Sequence, residues 1–256
     1  MKKKFVIPSL LLACSLTACN DGLVKSGVAY KDGMTSSVDE SLKKEKEGSY
    51  KLLTIKSTVE TNLSIDSNGK KESAKGTAKG TITIDLNEQS VQIEMESKSK
   101  SGQQTSEISG SVKAKKTNGK FKVVNSDGVL GEVYALLDFE SYYNNTIYNT
   151  YSWNYSLTDA DIKQALDSIG NSVASLENAL VDIKNNMLID GNPEKGTFEV
   201  GLSKTISFTT SGVNMEYTKL KHTYKNCLLQ SYTTAVKASG EGAQFDLEGT
   251  YNYSYK

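Results

Sequence analysis

Among 256 residues there is a single histidine, His222, and acid–base chemistry in this chain would have to start from it. A hydrolytic triad needs a base beside its nucleophile and an orienting group behind the base. His222 instead lies among Lys219, Lys221 and Tyr224, in a polar stretch with no nucleophile motif, and reads as a strand residue facing solvent. Adding Cys227 brings the zinc-type ligands to two, where a structural site takes four, so no metal is expected and Cys227 reads as a buried thiol. Carboxylates one residue apart occur at Glu94/Glu96 and Asp246/Glu248. Such a pair shares one strand face and has the composition of a glycosidase pair or a cation site. Each pair lies opposite an apolar alternation, however, and reads as a solvated outer surface. With no nucleophile motif, no second histidine and no recognisable cofactor loop, the chain is expected to be non-enzymatic and without a cofactor.

The turn Asp66-Ser67-Asn68-Gly69 has the core of a calcium loop, but Ser64 and Lys75 stand at that loop's first and twelfth positions, so it reads as a turn. All thirty basic residues are lysine, so the planar fork that grips carboxylates and phosphates in pairs is absent. Residues 19–256 carry 27 lysines against 30 acids. That balance offers no excess cation for counterion release, and nucleic acid is excluded as a partner.

A different chemistry is offered by the aromatic stretch 142–155. Tyr142, Tyr143, Tyr148, Tyr151, Trp153 and Tyr155 are spaced by Asn, Ser and Thr. Amphipathic rings amid hydrogen-bonding neighbours suit sugar stacking or peptide contact, with Tyr148, Tyr151 and Trp153 as the candidate surface. They also suit a loop that merely caps the end of a sheet, and capping is the favoured reading.

The elements that would position these groups follow from periodicity. From Leu53 to Ile65 apolar and polar residues alternate, which predicts a long strand with one buried face. Further strands are predicted at Thr77–Leu86, from Val91 to Met95, from Ile108 to Ala114 and around Phe121 and Val123, joined by turns such as Asn118-Gly119. Val129–Phe139 reads as a short helix. After Thr158, Ile162, Leu166, Ile169, Val173, Leu176, Leu180, Ile183 and Met187 step by four and three, which predicts one long amphipathic helix over Asp159–Asn185. Asp190-Gly191-Asn192-Pro193 stops it. Strands follow at Thr197–Leu202, Val213–Tyr224, Leu228–Ala238 and Ala243–Tyr255. The expected fold is therefore α+β: a strongly curved antiparallel sheet of about nine strands packed on one long helix. Gly80, Gly110 and Gly249 fall on apolar strand faces, where small residues make room for a close helix or a bound apolar molecule.

The N-terminus carries an address. Lys2, Lys3 and Lys4 precede the apolar run Phe5–Ala13, the layout of a secretory signal. The run is short of the roughly 20 apolar residues a membrane span takes. Leu16-Thr17-Ala18-Cys19 resembles the lipobox of bacterial lipoproteins. That resemblance implies removal of residues 1–18 and lipidation of Cys19. Residues 19–48, rich in Ser, Gly, Lys and Glu, then read as a lipidated N-terminus and flexible tether of about 30 Å reach, and residues 49–256 as a single domain.

With the lipobox, the long strands, the intervening helix and the closing meander to Lys256, the organisation resembles the lipoprotein-carrier half-barrels of the LolA, LolB and LppX type. The resemblance is architectural. It implies an exported, membrane-anchored monomer that holds or shuttles an apolar ligand such as a lipid between sheet and helix. Ile82, Ile84, Val112, Phe245, Leu247 and Tyr251 would line the site. A surface module that binds glycan or protein through the aromatic stretch is the alternative.

Overall fold

Period-two alternation and tight turns draw most of the chain into one antiparallel sheet. The computed structural model describes residues 22–30, 49–67, 70–151, 181–183, 185–210 and 212–256; of residues 67, 70, 148–151 and 210 the backbone alone is described. The strands are β1 (Val28–Ala29), β2 (Leu52–Ser67), β3 (Lys70–Asp85), β4 (Ser90–Ser101), β5 (Gln104–Thr117), β6 (Lys120–Asp127), β7 (Met187–Asn192), β8 (Thr197–Leu202), β9 (Ile206–Thr210), β10 (Val213–Lys225), β11 (Leu228–Gly240) and β12 (Ala243–Tyr255). Their spatial order is β1-β7-β8-β10-β11-β12-β2-β3-β4-β5-β6, with β9 pairing β10 where β8 has ended. Chain neighbours pair through hairpins whose central residues have positive φ, as at Asn118-Gly119, Asn226-Cys227 and Glu241-Gly242. The long-range join is β12 to β2, in register from Ala243↔Ile65 to Tyr255↔Leu53.

Helix among the described residues comes in short pieces: α1 (Gly128–Tyr134), α2 (Phe139–Tyr151), a 3-10 turn at Pro193–Lys195, and helical residues at 30, 181–183 and 185. The expectation of nine strands packed on one long helix is therefore corrected. Among the described residues the sheet has twelve strands, and strand accounts for 68% of those residues. Of the helix expected over Asp159–Asn185, all but residues 181–183 and 185 lie outside the described residues. Met187, the last step of the four-and-three apolar spacing, begins β7, where Met187 and Ile189 alternate toward the core and pair with Leu202 and Val200. The short helical expectation over Val129–Phe139 resolves into α1 and the start of α2. Asp138 separates them and caps α2, accepting hydrogen bonds from Glu140 N at 3.1 Å and from Ser141 Oγ at 2.7 Å. Those bonds, the Ser141 hydroxyl foremost, hold its carboxyl below the usual carboxylate range.

The sheet's inward face carries Leu53, Ile55 and Val59; the outward face carries Thr54, Lys56 and Thr58. Leu53, Ile84, Val91, Val112, Ala114, Val200 and Leu202 are wholly enclosed on the inward face, at 0% exposure. Burying an aliphatic side chain of this size contributes about 1.5–3 kcal/mol. Helix α1 lies on β5 through a glycine contact. A Cβ on Gly110 would meet Gly131 N at 2.2 Å, and one on Gly131 would meet Ser111 O at 2.3 Å. Helix α2 crosses the inward face, touching β4, β6 and β11. At about 1.5 Å per residue its thirteen residues span about 20 Å, close to the separation of β4 from β11.

Residues 22–30, within the stretch read as tether, are built into the sheet. Leu220 N donates to Gly22 O at 2.9 Å and Val24 N to Leu202 O at 2.8 Å. β1 pairs β7 with Val28 opposite Ile189, and Ser26 Oγ donates to Asp190 Oδ2 at 2.6 Å. Val24 and Tyr30 are buried.

Candidate binding surface

The six residues expected to line an apolar site all face inward, but the structure does not gather them. Ile82 and Ile84 stand opposite Ile55 and Leu53, and Val112 follows through Ile93. Phe245 stands opposite Leu63, ten residues along β2 from the partner of Ile84. At about 3.3 Å per residue that separates them by about 33 Å. Leu247 and Tyr251 lie between. Ile84, Val112, Leu247 and Tyr251 are buried in side-chain packing, while Ile82 and Phe245 are half-buried. The small residues do not open a furrow either. Met95 Sδ fills the space over Gly80, and the Tyr251 ring and Thr234 methyl crowd Gly249.

The concavities lie on the other face. One trough of about 600 Å³ runs over β2–β5 and includes Lys56, Lys79, Glu94, Glu96, Ser109 and Ser111. A second, of about 530 Å³, runs over β9–β12 and includes Thr209, Asn214, Glu216, Lys237, Gln244 and Asp246. Most lining residues of both have the outward parity. None of the six expected lining residues touches either trough.

The paired carboxylates fall in or beside these troughs, as an outward surface requires. Over β2–β5 they are satisfied locally: Gln92 Nε2 donates to Glu94 at 2.7 Å and Lys79 pairs with Glu96 at 3.8 Å. Over β9–β12, Glu248 pairs with Lys219, but Asp246 and Lys237 take part in no ion pair within 4.0 Å among the described residues. Register sets Glu216, Lys237 and Asp246 side by side on adjacent strands, a negative–positive–negative row. The next row is Asn214, Ser239 and Gln244, all hydrogen-bonding groups. No sequence motif marks this surface, because its members are spread over thirty residues and meet only through register.

His222 is not the solvent-facing residue expected. It is buried on the inward face, its ring centroid 3.7 Å from that of Tyr232, between Leu220 and Tyr224. Burial holds its imidazole well below its usual value, so it stays neutral. Cys227 is buried and in no disulfide among the described residues, as expected of a buried thiol. Among the described residues no group of three His, Cys, Asp or Glu could hold a metal ion.

The aromatic stretch divides. Tyr142 and Tyr143 belong to α2 and pack on the core, Tyr143 with its ring 5.1 Å from Phe121. Burial, then the neighbouring Tyr134 and Tyr251, pushes the Tyr142 phenol well up. These two rings cap the sheet. The side chains of Tyr148 and Tyr151, and the whole of Trp153, lie outside the described residues, as does Cys19.

No family model matches the chain. No curated protein matches it. Among solved structures, the translocator domain of the autotransporter NalP from Neisseria meningitidis is 7% identical, with 89% of this chain and 100% of that chain covered and a TM-score of 0.23. A DUF1329 family protein from Desulfovibrio piger is 8% identical, with 86% and 92% covered and a TM-score of 0.13. At such TM-scores neither likeness carries an argument about this chain.

Proposed function

We propose that this is an exported lipoprotein, anchored to a membrane through Cys19, that works as a non-enzymatic binding module through the outward polar face of its sheet. The observation that carries the reading is the placement of the concavities. Both troughs lie on the outward face and are lined by lysine, carboxylate, amide and hydroxyl groups. On the inward face, four of the six residues expected to line an apolar site are buried in packing, Ile84 and Val112 at 0% exposure. A ligand taken on the outward face would be polar, recognised by hydrogen bonds and paired charges.

Native mass spectrometry of the mature protein released from detergent tests this. The expected mass is that of residues 19–256 plus the anchor, with no further lipid retained. A co-purifying apolar molecule that added fatty acid displaces would overturn the outward-face reading. The Cys19→Ala protein should move from the membrane fraction to the soluble fraction; retention in the membrane fraction would overturn the anchor.

A further inference from the structure

If Cys19 carries a lipid, the structure fixes how far the sheet can stand from the bilayer. Gly22 is held in place, its carbonyl accepting from Leu220 N and its backbone lying against the side chain of Lys219. Three Cα–Cα steps separate Cys19 from Gly22. At 3.8 Å each they reach at most about 11 Å. The link between lipid and fold is therefore short, where the composition of residues 20–48 suggests a long tether.

The surface nearest that point is specific. Lys219 lies on β10 three residues from Glu216, about 10 Å along the strand. Glu216 begins the row Glu216, Lys237 and Asp246 of the β9–β12 trough. Elsewhere on the outward face Lys79, Lys98, Lys219 and Lys221 are each paired with a glutamate. Among the described residues neither Lys237 nor Lys56 of the other trough is in an ion pair. Of these two, Lys237 alone stands between carboxylates, Glu216 and Asp246, and Asp246 is in no ion pair among those residues either. An unpaired ammonium flanked by two carboxylates complements a zwitterionic phospholipid headgroup, which carries a phosphate and an ammonium.

We infer that the β9–β12 trough is a membrane-apposed face that receives phospholipid headgroups of the bilayer holding the anchor. The inference rests on lipidation at Cys19. In it Lys237 donates to the phosphate, Glu216 and Asp246 accept from the ammonium, and the short link from Cys19 keeps the face within reach.

The test uses the full mature protein in liposomes of phosphatidylethanolamine and phosphatidylglycerol that include a lipid with a nitroxide on its headgroup. A fluorophore is placed at Ser239→Cys in the trough, or at Lys122→Cys on β6, six strands and about 29 Å away in the sheet order. Thr209→Cys gives a second trough position should the first misfold. Quenching is expected to be several-fold stronger at 239 and 209 than at 122. A Gly/Ser insert of about 20 residues between Asp21 and Gly22, with a reach of about 25 Å, should remove most of that excess. Equal quenching at all positions in membrane-bound protein would overturn the apposed face and leave the anchor standing. An excess unchanged by the insert would overturn the role of the short link. Protein that does not partition to liposomes at all would overturn the anchor, and the inference with it.

Discussion

The inward face of β2–β5 differs between its two ends. At the end where β2 starts and β3 finishes, Leu53, Ile84, Val91 and Ala114 stand in register and are wholly enclosed. At the hairpin end the same alternation continues through Leu63 and Ile65, yet Ile65 and Ile108 are 37% and 40% exposed. Their cross-strand company there is Ala74, Gly76, Ser97, Ser99 and Ser101. The difference arises from what lies above the sheet. Among the described residues, helices α1 and α2 and the rings of Tyr50 and Tyr255, 4.9 Å apart, pack with the first end. Period two tells which face a side chain takes; it does not tell whether anything covers that face.

The largest effect that would sharpen this contrast is a cavity in the covered end. Ile84→Ala should cost about 3 kcal/mol of stability, whereas Ile108→Ala should stay within about 0.5 kcal/mol. Urea denaturation of the two variants measures both, and equal midpoints would erase the distinction between the ends. Next comes the glycine contact beneath α1. Gly110→Ala puts a methyl 2.2 Å from Gly131 N, where only backbone can give way. A loss of about 2 kcal/mol is expected, with α1 displaced. Gly102→Ala, at the hairpin end, meets nothing within 4 Å, and its cost is limited to the positive φ of that turn, about 1 kcal/mol.

How much of this was legible follows the same division. The meander from β2 to β6 could be read because long alternating runs are separated by turn residues such as Asp66–Gly69 and Asn118-Gly119. β1 and β9 have two and five residues, too few for a period to declare itself, and β7 is masked by the four-and-three spacing that runs on to Met187, so the expected sheet is three strands smaller. The docking of Gly22–Tyr30 was hidden for the same reason, since Leu23, Val24, Val28 and Tyr30 lie among tether-like residues. His222 reads as outward from sequence because Lys219 and Lys221 make its surroundings polar. Leu220 and Tyr224, at two-residue spacing on either side of it, were the signal that sets it inward. The trough row Glu216, Lys237 and Asp246 had no local signal at all.

A smaller effect follows from His222, in the inward row with Tyr251 and Tyr232. Burial lowers its folded pKa well below 6.5. Between those values the unfolded chain binds a proton that the folded chain does not, so stability falls as pH drops below 6.5. The slope from this one group approaches about 1.4 kcal/mol per pH unit and is absent above pH 7. Urea midpoints at pH 7 and pH 5 should diverge less in His222→Gln than in the parent. An identical divergence would mean that the imidazole is protonated in the fold.

The smallest effects come from two neighbouring phenols that differ in one bond. Tyr255 Oη donates to Leu229 O at 2.5 Å, so Tyr255→Phe leaves a carbonyl without that partner and should cost about 1 kcal/mol. Tyr253 Oη, two residues earlier on the same face, is buried with no hydrogen-bond partner among the described residues. Folding strips that hydroxyl of water and returns nothing, so Tyr253→Phe should leave stability unchanged or raise it by up to about 1 kcal/mol. A loss from Tyr253→Phe matching that from Tyr255→Phe would mean that the hydroxyl finds a partner, an enclosed water being the simplest. The covered end would then be a polar-lined interior at that point and no longer a dry one.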